Sequence, residues 1–196
     1  IKMHPWANKV KFARTGGEAN AIAIRIARAA SSRSMIAICG YHGWHDWYLA
    51  ANLKKNSLDE HILKGLDPKG VPKQLRNTVK TFRYNDINSL KKIISKNKIA
   101  AVKMEVSRTS ETNLNFLKEV RNLCSKNNII LIFDECTSGF RDAFGGLHLK
   151  YNIEPDIAMF GKALGNGYPI TAILGKESIM SKSIDSFISS TFWTEK

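Results

Sequence analysis

Cysteine is scarce. The three residues Cys39, Cys124 and Cys136 lie far apart, two of them inside apolar runs. An odd, unclustered set argues against a disulfide framework and fits a reducing, cytoplasmic setting. Long hydrophobic runs are missing too: none approaches the ~20 residues that a membrane-spanning helix needs. The opening stretch IKMHPWANKVKF lacks the apolar core of a signal peptide. Acidic residues are few, 17 against 30 Lys+Arg, which leaves a net charge of +13. The lysines are nevertheless spread through segments such as KKIISKNK at 91–98, with no sustained basic block. This reads as a basic surface and not as a nucleic-acid-binding face. Dinucleotide-binding, P-loop and serine-hydrolase signatures are all absent, which removes three large enzyme classes from consideration.

What is present is a 196-residue chain with 43% apolar content, enough for one well-buried domain. Six short apolar runs read as buried strands: 35–39 (MIAIC), 78–82 (TVKTF), 99–106 (IAAVKMEV), 129–134 (IILIFD), 157–160 (IAMF) and 170–174 (ITAIL). Between them, 18–30, 86–97 and 113–127 have helical spacing, the last two opened by an Asx residue placed to cap the helix. This alternation predicts an α/β fold with a mostly parallel sheet and helices on both faces, in three layers. Ligands of such sheets bind at the carboxyl ends of the strands.

Three strand ends carry chemistry. Thr15-Gly16-Gly17 precedes the first helix, where glycine lets a ligand approach and the helix N-terminus offers free N–H groups; this is a phosphate cradle or a simple turn. Asp134 and Glu135 end the run IILIF, where a buried carboxylate needs a cation or a donor. Lys162 follows IAMF and precedes a glycine-rich turn, GKALGNGYP; in an apolar, desolvated pocket such a lysine is a nucleophile toward carbonyls. A phosphate cradle, a buried carboxylate and a lysine are together what pyridoxal phosphate requires for its phosphate, its ring nitrogen and its aldehyde.

The segments VKFARTGGEANAIAIRIAR, GYHGWHDW, LIFDECTSGFR and PDIAMFGKALGNGYPITAILG occur in this order across nearly the whole chain. In them the sequence resembles the class III, fold-type I, pyridoxal-phosphate aminotransferases, and most closely the branch similar to glutamate-1-semialdehyde aminomutase. The resemblance implies catalytic roles for Lys162, as the Schiff-base lysine, and for Asp134, as partner of the ring nitrogen. It further implies a cofactor-binding set of Gly16 and Gly17 at the phosphate, and Tyr41 stacked on the ring in a loop shared with His42. Cys136 would pack on the opposite ring face, Glu105 would lie near the cofactor, and Thr191 would reach the phosphate of a partner subunit in a homodimer with shared sites. The sequence departs from the family's usual pattern at Thr15-Gly16-Gly17, Val106, Cys136 and Ser190, and the stretch SRTSETN at 107–113 lacks the usual glycines.

On this resemblance, residues 1–196 would form a pyridoxal-phosphate-binding large domain, an internal fragment without the family's N-terminal segment and C-terminal small domain. The expected activity is transfer of an amino group to or from a small amino or keto compound, by a cytoplasmic protein that binds neither nucleic acid nor membrane. An intramolecular aminomutase or a racemase on the same scaffold is the alternative, and a non-catalytic binding module is a further one. His42-Gly43-Trp44-His45-Asp46 has the look of a metal motif but falls in a loop with no third cluster of ligands, so no metal is expected. Arg141 is open to a carboxylate-binding role or to a plain surface one.

Overall fold

The computed structural model describes residues 2–54, 57–59, 64–107 and 113–189. One seven-stranded sheet organises them. Its strands are β1 (Lys9–Ala13), β2 (Met35–Cys39), β3 (Val79–Thr81), β4 (Ile99–Glu105), β5 (Ile130–Asp134), β6 (Ile157–Phe160) and β7 (Thr171–Gly175). The spatial order is β1-β7-β6-β5-β4-β2-β3. From β6 to β3 all neighbours are parallel, whereas β7 runs antiparallel to both β6 and β1. The mostly parallel α/β sheet expected from the strand–helix alternation is therefore present, with an antiparallel edge.

The central strands are closed to solvent along their whole length, which is why they read as continuous apolar runs. Successive side chains serve opposite faces. Ile36, Ile38, Ala101, Ile132 and Met159 join the core under α1 (Gly16–Ser31), and Ala37, Cys39, Val102, Met104, Leu131 and Phe133 join the core under α3 (Ile87–Ile94) and α4 (Leu114–Lys126). The three long helices start where their caps dictate. Thr15, Asp86 and Asn113 each accept, through the side chain, the N–H three residues on. Single-turn helices α2 (Asp46–Leu49), α5 (Leu147–Lys150) and α6 (Glu177–Met180) and four short 3-10 turns complete the element order.

β1 is absent from the sequence expectation. Its residues KVKFA alternate lysine with apolar groups, and it is held as an edge strand by β7, with Val10 opposite Leu174. Among the described residues no helix is long and apolar enough to cross a membrane.

Candidate active site

The parallel register decides which side chains meet. Lys103 of β4 pairs with Ile132 of β5, and Glu105 pairs with Asp134. Lys103 is therefore the diagonal neighbour of Asp134 on the face covered by α1, while Met159 of β6 pairs with Asp134 from the other side. Asp134 is 4% exposed and has three donors. His42 Nδ1 lies 2.8 Å from Oδ2, the Cys136 backbone N–H donates to Oδ1 at 3.1 Å, and Lys103 Nζ stands 3.3 Å from Oδ2. Burial by itself would raise the carboxyl's affinity for a proton. The Lys103 charge, then His42 and the Cys136 N–H, overcome that and hold it far below the usual carboxylate range. His42 is closed to solvent, and burial first, then Lys103, lowers its own affinity for a proton. Its Nδ1 therefore carries the hydrogen toward Asp134, and its Nε2 has no partner among the described residues.

Glu105 serves backbone geometry. Its Oε2 accepts the Tyr41 N–H at 2.9 Å, and a Cβ on Gly40, at φ +114°, would collide with it. Gly40 is thus fixed by both its conformation and its neighbour. Tyr48 of α2 donates to the Gly40 carbonyl at 3.1 Å and meets the Tyr41 ring edge-on. Tyr41 itself is 37% exposed and lies at the strand ends.

Cys136 is the hub of the remaining groups. A Cβ on Gly16 would have the Cys136 sulfur as its nearest neighbour at 3.9 Å, and one on Gly161 would lie 3.4 Å from the same sulfur. Burial, then Asp134, pushes this thiol well above its ordinary pKa, so it packs as a neutral apolar group. At the start of α1 the N–H groups of Glu18 and Ala19 are taken by Thr15, whereas those of Gly16 and Gly17 have no protein acceptor among the described residues. A Cβ on Gly17 would fall inside the His45 ring.

Lys162 follows β6 with a left-handed backbone, φ +47°, and donates from Nζ to Thr137 Oγ1 at 2.7 Å. It is exposed. The desolvated pocket expected from the sequence is therefore not built by the described residues, because Gly161, Gly165 and Gly167 flank the lysine with little side-chain cover. Gly16, Gly17, Tyr41, His42, Glu105, Asp134, Cys136 and Lys162 all reach the carboxyl end of the parallel strands. Thr191 lies outside the described residues. Arg141 is exposed.

Sequence reasoning missed Lys103, Thr137 and the second acid's network. Glu135 is buried and accepts from Ser138 Oγ, from the Leu147 and His148 N–H groups, and from His148 Nδ1 at 2.7 Å. Trp6 Nε1 donates to His148 Nε2, so this imidazole carries its hydrogen on Nδ1, toward Glu135. The only signal in sequence was a lysine inside an otherwise apolar run for Lys103, and none for the others.

A mostly parallel sheet that gathers a lysine, a buried aspartate and an open helix N-terminus at its carboxyl edge has the architecture of the fold-type I pyridoxal-phosphate transaminases. The sequence matches the aminotransferase class-III family over residues 1–195, and the chain belongs to that family. It is 36% identical over 198 residues to a 3-aminobutyryl-CoA aminotransferase of Cloacimonas acidaminovorans, covering 96% of this chain and 44% of that one. It is 40% identical over 183 residues to a glutamate-1-semialdehyde 2,1-aminomutase of Nitrosopumilus maritimus, covering 90% and 42%. Among solved structures, the FumI protein of a Sphingopyxis species in its pyridoxal-phosphate internal aldimine form superposes with a TM-score of 0.83 at 28% identity, over 98% of this chain and 45% of that one. An omega-transaminase from Sphaerobacter thermophilus does so with a TM-score of 0.76 at 28% identity, over 90% and 42%. The chain thus spans less than half the length of the relatives it matches.

Proposed function

We propose that this chain is the cofactor-binding part of a pyridoxal-phosphate enzyme that moves an amino group to or from a small amino or keto compound. The observation that carries the reading is the single cluster in which Asp134 and Gly161, one residue before Lys162, both reach Cys136, which also borders Gly16. The residues present fit the cofactor. Two N–H groups without an acceptor among the described residues, at the start of a 16-residue helix, suit a phosphate, and a buried, ionised carboxylate suits a protonated ring nitrogen. A Lys162 amine engaged, among the described residues, by a neutral hydroxyl suits an aldehyde.

When bound, the cofactor supplies an electron sink for the substrate carbon that bears the amino group. The chain does the rest. Gly16 and Gly17 would fix the phosphate, and Tyr41 and Cys136 would confine the ring between them. Asp134, steadied by His42, would hold the proton on the ring nitrogen. Lys162 would carry the cofactor and, once released, move the proton at the substrate carbon, with Thr137 setting the position of its Nζ.

An intramolecular aminomutase is the second reading, favoured by the 40% identity to an aminomutase. The two differ in need: a transaminase requires an external amino acceptor and an aminomutase does not. A homodimer in the cytoplasm belongs to the same proposal. Exposed Trp44, Phe144, Tyr168 and Phe187 support it as apolar surface suited to being covered. The residue span 1–196 is proposed to lie within one large domain.

The test is to reduce the full-length protein with borohydride after loading with pyridoxal phosphate, and to locate the pyridoxyl group by mass. Modification of Lys162, with turnover lost in Lys162→Ala and severely cut in Asp134→Ala, is the expected result. A protein that takes no pyridoxyl group at Lys162 would refute the reading.

A further inference from the structure

Lys103 is a buried cation that the amino-transfer reading leaves without a task. It lies in the interior of β4 and is closed to solvent, with Nζ 3.3 Å from Asp134 Oδ2 and 3.0 Å from Met159 Sδ. A thioether is a weak acceptor, so the ammonium depends on Asp134 for its counter-charge. An apolar side chain would occupy this strand position without the cost of desolvating an ammonium. Asp134 does not need the lysine to be hydrogen-bonded, since His42 Nδ1 and the Cys136 N–H already donate to it. What Lys103 adds is a full positive charge on a carboxylate that, in the reading above, must also serve a ring nitrogen.

Among the described residues no nearer group compensates that charge. His42, from the loop after β2, is neutral, and so is the Cys136 thiol. Glu105, opposite Asp134 in the register, directs Oε2 to the Tyr41 N–H. Lys162, from the loop after β6, adds a further positive charge that is felt at Cys136. Met159, the register partner on β6, is uncharged, and α1, which covers this face, buries alanine, isoleucine and Asn20 but no titratable side chain.

We propose that Lys103 is a positioning residue that sets the protonation of the cofactor's ring nitrogen, by sharing the Asp134 carboxylate with it. Two cations drawn to one carboxylate disfavour each other. A ring nitrogen bound here therefore holds its proton less firmly than it would beside an aspartate that had only neutral donors. At an effective dielectric of about 20 the difference amounts to roughly one to two pH units in the midpoint of ring-nitrogen protonation. The consequence for chemistry is a weaker electron sink at neutral pH, tuned by a residue that touches neither substrate nor the reacting carbon.

This inference rests on the pyridoxal-phosphate reading, and the experiment separates the two. The full-length protein is loaded with pyridoxal phosphate labelled with nitrogen-15 in the ring, attachment to Lys162 is checked by borohydride and mass, and the ring nitrogen is titrated by NMR. Wild type is compared with Lys103→Met, which keeps the length without the charge, and with Lys103→Gln. The expected result is a midpoint about one to two pH units higher in both variants than in wild type. An unchanged midpoint in a folded, loaded variant would reduce Lys103 to a structural residue and overturn the inference. Should neither variant fold, wild type decides alone: a ring nitrogen still fully protonated at about pH 10 overturns it, and a midpoint below that supports it. No attachment at Lys162 in wild type overturns the proposed function, and this inference with it.

Discussion

Asp134 and Glu135 are joined by a peptide bond and, among the described residues, share no side-chain partner. Asp134 turns to His42 and Lys103 on the face under α1, whereas Glu135 turns to His148, Ser138 and the start of α5. One acid is held ionised where a ligand can use it. The other is consumed by the fold, tying the loop after β5 to α5 and, through His148, to Trp6 ahead of β1.

The Glu135 network should therefore behave as a stability element. Glu135→Gln turns one of the two carboxylate oxygens into a donor facing the N–H of Leu147 or of His148, and His148→Ala strips the buried carboxylate of one of its two side-chain donors, leaving Ser138. Each is expected to cost about 2–4 kcal/mol in urea unfolding of the full-length protein. The folded fraction should keep its capacity to be labelled at Lys162. A variant that melts like wild type but no longer takes the cofactor would move Glu135 into the binding site.

Stability should fall as the medium is made mildly acidic. His4 is 3% exposed and stacked on His148 at 5.3 Å. Burial lowers its pKa from 6.5 to about 4. The unfolded chain takes up this proton near 6.5 and the folded chain does not until about 4. The contribution is thus complete above 6.5 and is lost as pH falls through that window. Asp134 and Glu135, both held below their ordinary values, add a further loss at lower pH, when the unfolded carboxylates begin to protonate. Urea midpoints measured from pH 7 downward should decline first in the histidine window, and His4→Gln should make that first decline shallower, the buried His42, also held below its ordinary value, supplying the rest. A slope unaltered by His4→Gln would assign it to another group.

How much of this was legible in the sequence follows from what each residue answers to. IILIFD and IAMF answer to burial, a local property of the run, and both appear as strands within a residue of the expected ends. KVKFA answers to β7 some 160 residues away, and nothing in its own pattern marks it as paired. Asp134 and Lys162 stand out because each follows an apolar run. Lys103 does not, since a lysine in a strand reads as the outward face, and only the register of β4 on β5 sets it beside Asp134. The exposure of Lys162 was hidden for the same reason: cover is a tertiary property.

The two glycines that open α1 should differ in tolerance. A methyl group on Gly16 meets only the Cys136 sulfur, at ordinary contact distance, whereas one on Gly17 must displace the His45 ring, which is itself stacked on Trp44. Gly17→Ala is expected to cost about 1–2 kcal/mol and Gly16→Ala to stay within about 0.5 kcal/mol of wild type in the cofactor-free protein. Thermal unfolding of both variants checks this. Equal losses would mean that His45 swings aside freely and does not shape the start of the helix.

The lysine at the centre of the site is held at φ +47°, a conformation that costs a residue with a Cβ roughly 1 kcal/mol or more. Removing the amine and removing the strain are separable substitutions. Lys162→Ala deletes the hydrogen bond to Thr137 but keeps the unfavourable backbone; Lys162→Gly deletes both. Glycine ordinarily destabilises by widening the unfolded ensemble, yet at a left-handed position the order reverses. Lys162→Gly is expected to be the more stable of the two by about 1 kcal/mol, and both should be equally inactive. If alanine proves the more stable, the left-handed backbone is not a property of the folded protein in solution, and Nζ is aimed at Thr137 by side-chain rotamer alone.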